Sequence, residues 1–348
     1  MSRSRELVEI ATAYDSGGAF GMRNRVINGD MRIDQRNNGS TVSADLAFPV
    51  DRFKIYRNGG AATCTAQRST TAPTGFSYSL VYTVGTGAAP GAGDYSGIAH
   101  PVEGLNCADL NWGTANAKTL TLSFWVRASV TGTYGVGVKN AANNRSRIFS
   151  YTIDQANTWE FKSIEIPGDT SGTWAVDTTL GMNLTWDLGV GTTFSAAAGS
   201  WQAGNYYGLT SGTKLATTAG ATFYLSGVQL EVGIAATAFQ YRPIGLETAM
   251  CQRYFEKGNV PVLYLPASGG GYWTVLMVPI WFKATKRNTS YTMSYASLQV
   301  YVSGTPTSYG GASSTVNTAV EQCSLYLSTT VTNNGGTAAG TWTCESEL

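Results

Sequence analysis

The most regular feature of the chain is alternation. In Ser77–Val84, Tyr78, Leu80, Tyr82 and Val84 occupy every second position. In Thr119–Arg127, Leu120, Leu122, Phe124 and Val126 form one face, and Thr119, Thr121, Ser123, Trp125 and Arg127 form the other. In Leu180–Val190 the apolar set is Leu180, Met182, Leu184, Trp186, Leu188 and Val190. Period-two patterning predicts strands with one buried and one wet face, as in antiparallel sheets packed face to face. Two runs change phase midway. Trp159 and Phe161 are odd, whereas Ile164 and Ile166 are even. Phe223 and Leu225 are odd, whereas Val228, Leu230 and Val232 are even, with Gly227 at the change. One extra residue flips every later side chain, so a β-bulge or kink is expected at each place. Long strands that bend in this way fit an all-β antiparallel sandwich of the jelly-roll type.

The pattern divides the chain into four segments. Residues 1–22 form an N-terminal segment with a short helix, in which Leu7, Ile10, Ala11 and Tyr14 share one face. Asp15-Ser16-Gly17-Gly18 ends it. So narrow a stripe is marginal alone and is expected to bury against another chain. Residues 23–242 are the sandwich body, entered through the tight-turn signal Asn28-Gly29. Arg242-Pro243-Ile244-Gly245 breaks the pattern, and 243–257 reads as a helical linker with Leu246, Ala249, Met250 and Tyr254 on one side and Gly258 as the stop. Residues 258–348 hold strand-like runs at Val260–Leu265, Trp273–Phe282, Ser290–Ser303, Cys323–Thr332 and Gly340–Leu348. A β domain this thin is expected to oligomerise to cover its core.

Composition sharpens the picture. Gly (41) and Thr (44) make up about a quarter of the 348 residues, which suits strands joined by tight turns. Charged residues are only 13% and net charge is +1, so no whole-chain electrostatic footprint for nucleic acid exists. No apolar run is long enough to span a membrane. MSRSRELVEI lacks an apolar signal core, so synthesis in the cytoplasm is expected, with any exit by a route other than secretion. With one histidine, His100, a zinc site built on two or three histidines is impossible, and a histidine triad has only that residue to use. The five cysteines show no CxxC spacing and read as reduced thiols. Cys323 and Cys344 lie close enough in the chain to face each other across two strands, with connectivity open.

The sequence carries no nucleophile-elbow, zinc-protease, phosphate-loop or EF-hand motif, and no cofactor or metal is expected. Glu103, Asp169, Asp177 and Asp187 are carboxylates whose spacing favours no acid–base pair. They read as turn or surface acids. The Gly-rich runs GTGAAPGAGDYSG and PASGGGYW do not lead from a strand into a helix and read as surface loops. Aromatic residues in polar loops say more: Trp112, Trp174, Trp201, Tyr206 and Tyr207. Such rings either stack on sugars beside hydrogen-bonding amides, or pack over a sheet end and seal the core.

Several longer runs are familiar in order. NRVINGDMRIDQRN, VDRF, VEGLNCADLNWGTANAKTLTLSFWVRAS, IPGDTSGTW, GATFYLSGVQLEVG, ATAFQYRP and CQRYFEK together resemble a widespread family of bacteriophage tail-fibre and receptor-binding proteins, over about residues 24–257. The middle of the chain also looks like a carbohydrate-binding-module jelly roll. GTWTCESEL is similar to the closing strand of fibre tip domains, and the N-terminal helix resembles short virion-attachment segments. The resemblance implies a non-enzymatic structural protein of a phage tail or baseplate. It implies a homotrimer that joins other tail or baseplate proteins through its N-terminus and recognises host surface polysaccharide, without nucleic-acid binding or membrane insertion. In such a protein Trp174 and Tyr206 are the rings expected to stand exposed, beside Asp169 and Asn205, as glycan contacts. Two alternatives are a baseplate or capsid decoration protein without a ligand, and a glycan-degrading tailspike. Catalytic relatives carry a parallel β-helix, and no coil repeat of the usual ~20–30 residues is visible here.

Overall fold

Leu120, Leu122, Phe124 and Val126 are all fully buried, and Trp125 between them faces the other way. In the computed structural model this alternation runs through two stacked sheets. The structure describes residues 22–260, 264–265, 272–302, 305–308, 312–316, 318–332 and 336–348. The stripe of Leu7, Ile10, Ala11 and Tyr14 lies outside these. The chain divides into two compact units that meet in sequence between Arg242 and Pro243.

The strands of the first unit are β1 (Lys54–Asn58), β2 (Cys64–Ser69), β3 (Ser79–Val84), β4 (Tyr95–Glu103), β5 (Leu120–Ala128), β6 (Gly132–Asn140), β7 (Arg145–Ile153), β8 (Glu160–Ile166), β9 (Leu180–Asp187), β10 (Ser195–Ala196), β11 (Gln202–Ala203), β12 (Gly208–Leu209) and β13 (Thr222–Val232). One sheet runs β1-β4-β9-β6-β7-β11 and the other β2-β3-β13-β5-β8. Every pairing in both is antiparallel. The fold is therefore the all-β antiparallel sandwich that the alternation predicts. Its core is aromatic at the centre: the Phe124 ring meets Trp186 edge-on at 5.8 Å and Tyr151 at 5.2 Å. These contacts tie one sheet to the other, on top of the area the rings bury.

The two phase changes resolve differently. The register of β13 against β5 shifts between Ser226 and Gln229, and Gly227 sits there at φ +59°. A Cβ on Gly227 would lie 2.7 Å from the Phe76 ring, so only glycine fits this bulge. In β8 the register against β5 is unbroken, and no bulge exists. Phe161 simply points outward, 47% exposed, with its ring 5.5 Å from Trp125. An outward aromatic mimics a phase change when its partner is a second outward aromatic on the next strand.

Segments at both ends of this unit are knitted to β13 by buried polar groups. Asn24 donates through Nδ2 to Val228 O and accepts from Leu230 N. Arg242 donates to the carbonyls of Val26 and Asn24. Asn28, at φ +60°, bonds Ile33 and Asp51 backbone groups, so the Asn28-Gly29 signal marks a buried turn.

The second unit opens with helix α1 (Ile244–Gln252). The expected linker helix is thus shorter than 243–257, because Phe255–Asn259 is strand β14, paired with the end of the chain. The helix buries Glu247, Cys251 and Gln252; of the expected apolar side Leu246 is exposed, Ala249 and Met250 are half-buried, and Tyr254, just beyond the helix, is fully buried. The remaining strands are β15 (Tyr264–Leu265), β16 (Tyr272–Trp281), β17 (Thr292–Val302), β18 (Thr305–Ser308), β19 (Ala312–Val316), β20 (Gln322–Thr332) and β21 (Gly336–Glu345). They form sheets β14-β21-β17-β18, with β15 also on β21, and β16-β20-β19. Val260, Val278, Ile280, Leu325 and Trp342 share a core with Cys323 and Cys344, which are free thiols. Burial pushes the Cys344 thiol up to about 12. On β16, Val278 and Ile280 are buried while Trp281 is 66% exposed.

Candidate functional site

The tryptophans flagged in polar loops converge, and they do so inside the sandwich unit. Trp112 and Trp174 meet at 4.7 Å, Trp112 and Trp201 at 5.3 Å, and Trp174 and Trp201 at 5.4 Å, all edge to face. Each indole N–H donates to a loop carbonyl: Trp112 to Lys118 O, Trp174 to Ser171 O and Trp201 to Pro167 O. Trp174 is only 8% exposed. The expectation of an exposed ring is corrected here. Three loops far apart in sequence each contribute a ring, and the rings bury one another rather than face water.

Asp169 is buried behind this cluster. Its carboxylate takes both arms of the Arg145 guanidinium (Nε–Oδ2 2.8 Å, Nη2–Oδ1 2.5 Å) and accepts from Ser171 N and from the Trp174 indole. A bidentate pair this well satisfied anchors the 167–174 loop to the start of β7. It leaves Asp169 inaccessible to a ligand.

Asn205 and Tyr206 lie on the other side of Arg145. Ala203 pairs with Arg145, and Ser146 Oγ donates to Gly204 O and accepts from Tyr206 N. Gly204 stands at φ +139°, with the Tyr206 ring 2.6 Å from where a Cβ would be. Tyr206 is half-buried and packs on Ile148, Ala196 and Leu209, so its ring is partly covered rather than free. Asn205 Oδ1 accepts from Lys139 Nζ at 3.0 Å, and its Nδ2 donates to the Tyr207 hydroxyl at 2.9 Å.

Lys139 is the residue that sequence reasoning missed. It sits on the outer side of β6, between core positions, and the 200–207 loop folds over it, leaving it 6% exposed. Nζ donates to Asn143 Oδ1 at 2.7 Å and lies 4.0 Å from the Tyr207 ring centre. No carboxylate among the described residues pairs with it. Burial, with some repulsion from Lys54, pulls its pKa down to about 7. The β6–β7 turn around it is held by Asn140, which donates to Asn144 Oδ1 and Thr173 O and accepts from the Asn144 and Arg145 amides. The sequence signal was the run KNAANNR, where Asn143 takes the left-handed conformation at φ +57°.

The result is one continuous polar surface at the β6–β7 turn. Asn143, Asn144 and Thr173 are exposed; Asn205, Tyr206 and Tyr207 are half-buried. Side-chain amides fixed by one another offer donors and acceptors to hydroxyl groups, and the tyrosine edges supply apolar contact. Fully held groups of this kind lose little entropy on binding. A second set of aromatics covers the outer face of the β2-β3-β13-β5-β8 sheet: Trp125 beside Phe161, and Trp159 6.0 Å from Tyr224, over which Arg127 lies at 4.8 Å.

The remaining sequence candidates have structural work. His100 is fully buried against Phe53 at 4.7 Å, with Nε2 3.1 Å from Ile27 O, and burial holds its pKa well below the usual value. Asp187 is fully buried, accepts from Lys214 Nζ at 2.5 Å and from the Gly189, Val190 and Leu209 amides, and burial raises its carboxyl pKa. Asp177 accepts from Thr179 N, and Glu103 is buried.

No protein-family model and no curated protein matches the sequence. Solved structures do. A putative sugar-binding protein from Bacteroides thetaiotaomicron is 12% identical, with a TM-score of 0.37 over 61% of this chain and 100% of that one. The N-terminal cellulose-binding domain of a Cellulomonas fimi β-1,4-glucanase is 14% identical, with a TM-score of 0.29 over 55% of this chain and 100% of that one. The enzymatically active domain of tailspike protein 4 from bacteriophage CBA120 is 13% identical, with a TM-score of 0.32 over 58% of this chain; the match spans 22% of the tailspike chain.

Proposed function

We propose that this chain is a non-catalytic phage virion protein, a tail fibre or receptor-binding subunit, whose sandwich recognises host surface glycan at the β6–β7 turn. The observation that carries the glycan reading is the cluster of Lys139, Asn143, Asn205 and Tyr207, with Asn144 and Tyr206 at its rim. Its groups are amides, hydroxyls and ring edges already oriented by one another, which is the chemistry that recognises sugar hydroxyls. The particle assignment, the trimer and attachment through residues 1–22 come from the sequence resemblance.

A glycan array probed with the full chain tests the reading. Binding should be weakened about tenfold or more by Asn205→Ala and by Tyr206→Ala at a temperature where each variant, checked by its Tm, is still fully folded. Unchanged binding in both variants, with loss in Trp125→Ala and Phe161→Ala, moves the site to the outer face of the five-stranded sheet. No binding to any glycan favours the decoration-protein reading. Deleting residues 1–18 should abolish incorporation into particles while the sandwich stays folded; normal incorporation refutes the anchor.

A further inference from the structure

β8 is the edge strand of its sheet, and β7, flanked on its outer side only by the two-residue strand β11, lies next to it in the other sheet. β11 pairs with β7 at Arg145 and Ser146, and Gly199 N donates to Ile148 O, so the 198–203 stretch flanks this end of β7. Between the strands lies a groove of about 460 Å³, lined among others by Arg147, Phe149, Ser150, Ser163, Ile164 and Glu165. That volume is within the ~300–1,000 Å³ of small-molecule sites. Phe149 and Ile164 form its buried apolar floor, while Ser163 and Glu165 are exposed at its wall.

Arg147 is anomalous. Among the described residues it is the one arginine whose guanidinium makes neither a hydrogen bond nor an ion pair, and its Nε is buried without a partner. Its only contact of note is with the Phe149 ring, 5.0 Å from the guanidinium carbon. Burial lowers its pKa and Glu165 opposes that, so the acid is close enough to be felt without neutralising it. A buried N–H left unpaired forfeits the hydrogen bond it made to water. A planar acceptor that takes Nε and Nη together removes that cost, and carboxylate is the acceptor the guanidinium fork matches.

We propose that this groove binds a carboxylate-bearing sugar residue of an acidic polysaccharide, its carboxylate on Arg147, its ring over Phe149, and its hydroxyls donating to Glu165. Glu165 decides between anions. A dianionic phosphate would meet its repulsion, whereas a sugar acid carries a single charge at one end and hydroxyl donors at the other. The proposal rests on the glycan reading and names the class of glycan.

The test uses the full chain, titrated calorimetrically with oligogalacturonate, hyaluronan oligosaccharide and sialyl-lactose, and with the carboxyl-reduced form of each. At least one acidic probe should bind, and its reduced form should bind tenfold or more weakly. Arg147→Gln should abolish that preference, and Arg147→Lys should restore part of it. Equal binding of acidic and reduced forms, an Arg147→Gln variant that keeps the preference, or failure of all the acidic probes overturns the proposal. Neutral glycans that still bind through Asn205 and Tyr206 would leave the glycan reading standing. Inorganic phosphate is the control: competition by phosphate at concentrations where acetate has no effect would point to a phosphate site and sink the sugar acid.

Discussion

Replacing Lys139 by methionine should stabilise the sandwich below neutral pH and lose that advantage as pH rises. In the fold its pKa is about 7, against 10.5 in an unfolded chain. The unfolded state therefore binds more protons between pH 7 and about 10.5, so stability of the parent rises with pH across that window. Below pH 7 both states are charged and the folded one carries the whole cost. The difference of about 3.5 units corresponds to about 5 kcal/mol. Methionine keeps most of the stem's packing and removes the charge. The variant's advantage over the parent should therefore shrink by about 5 kcal/mol between pH 6 and about pH 10.5. Urea unfolding followed by hydrogen exchange of the β6 and β7 amides, from pH 6 to 10, measures it. A difference between variant and parent that stays flat with pH, or a variant less stable at pH 6, refutes the burial argument.

Other expectations follow from the same geometry. Trp174→Ala should cost about 3–5 kcal/mol, read as a lower urea midpoint, because it empties the three-indole cluster; an unchanged midpoint would mean the ring does not seal the loops. Phe124→Ala should cost a similar amount by losing contact with Trp186 and Tyr151 at once. His100 is buried with its pKa held low, so the unfolded state takes up a proton below about pH 6.5 that the fold refuses. Stability should then fall by up to ~1.4 kcal/mol per pH unit on acidification, and His100→Gln should flatten that slope while lowering stability at pH 7.

How much the sequence disclosed follows from the range of the interactions involved. Strands β5 and β9 and the bulge at Gly227 were legible because alternation is a local property, fixed by the pleat. The apparent phase change at Phe161 misled because it depends on Trp125, a partner on another strand. The helix after Pro243 was legible, but its end was not. Phe255 and Glu256 leave the helix to pair with Glu345 and Cys344, about ninety residues later. The fate of Trp174 also rests on long-range contacts, with rings at 112 and 201. Lys139 reads as an ordinary strand lysine until the 200–207 loop closes over it.

The runs that carry the phage-fibre resemblance share a physical property. NRVINGD supplies Asn24, Val26 and Asn28; GVQLEVG supplies Gln229 and Glu231; ATAFQYRP supplies Gln240 and Arg242. These groups bond one another and the backbone around β13: Gln240 Oε1 accepts from Asn24 N, Gln240 N donates to Gln229 Oε1, and Arg242 caps the carbonyls of Asn24 and Val26. IPGDTSGTW supplies Asp169 and Trp174, both buried. A buried polar network tolerates few substitutions, since any unpaired member costs more than the network gains. The familiar runs are thus the frame of the sandwich. The amide cluster on Lys139, Asn143 and Asn205, and the unpartnered Arg147, lie in β6, β7 and the 188–207 stretch, outside every one of those runs. The exposed positions there, such as Asn143, Asn144 and Ser150, can change without disturbing the frame, whereas Asn140 and Arg145 belong to it through Thr173 O and Asp169. On the proposed reading, that is where ligand choice should reside, and exchanging the exposed and half-buried residues of 143–150 and 205–206 between related sandwiches, with Arg145 kept, should transfer glycan preference while leaving the fold intact.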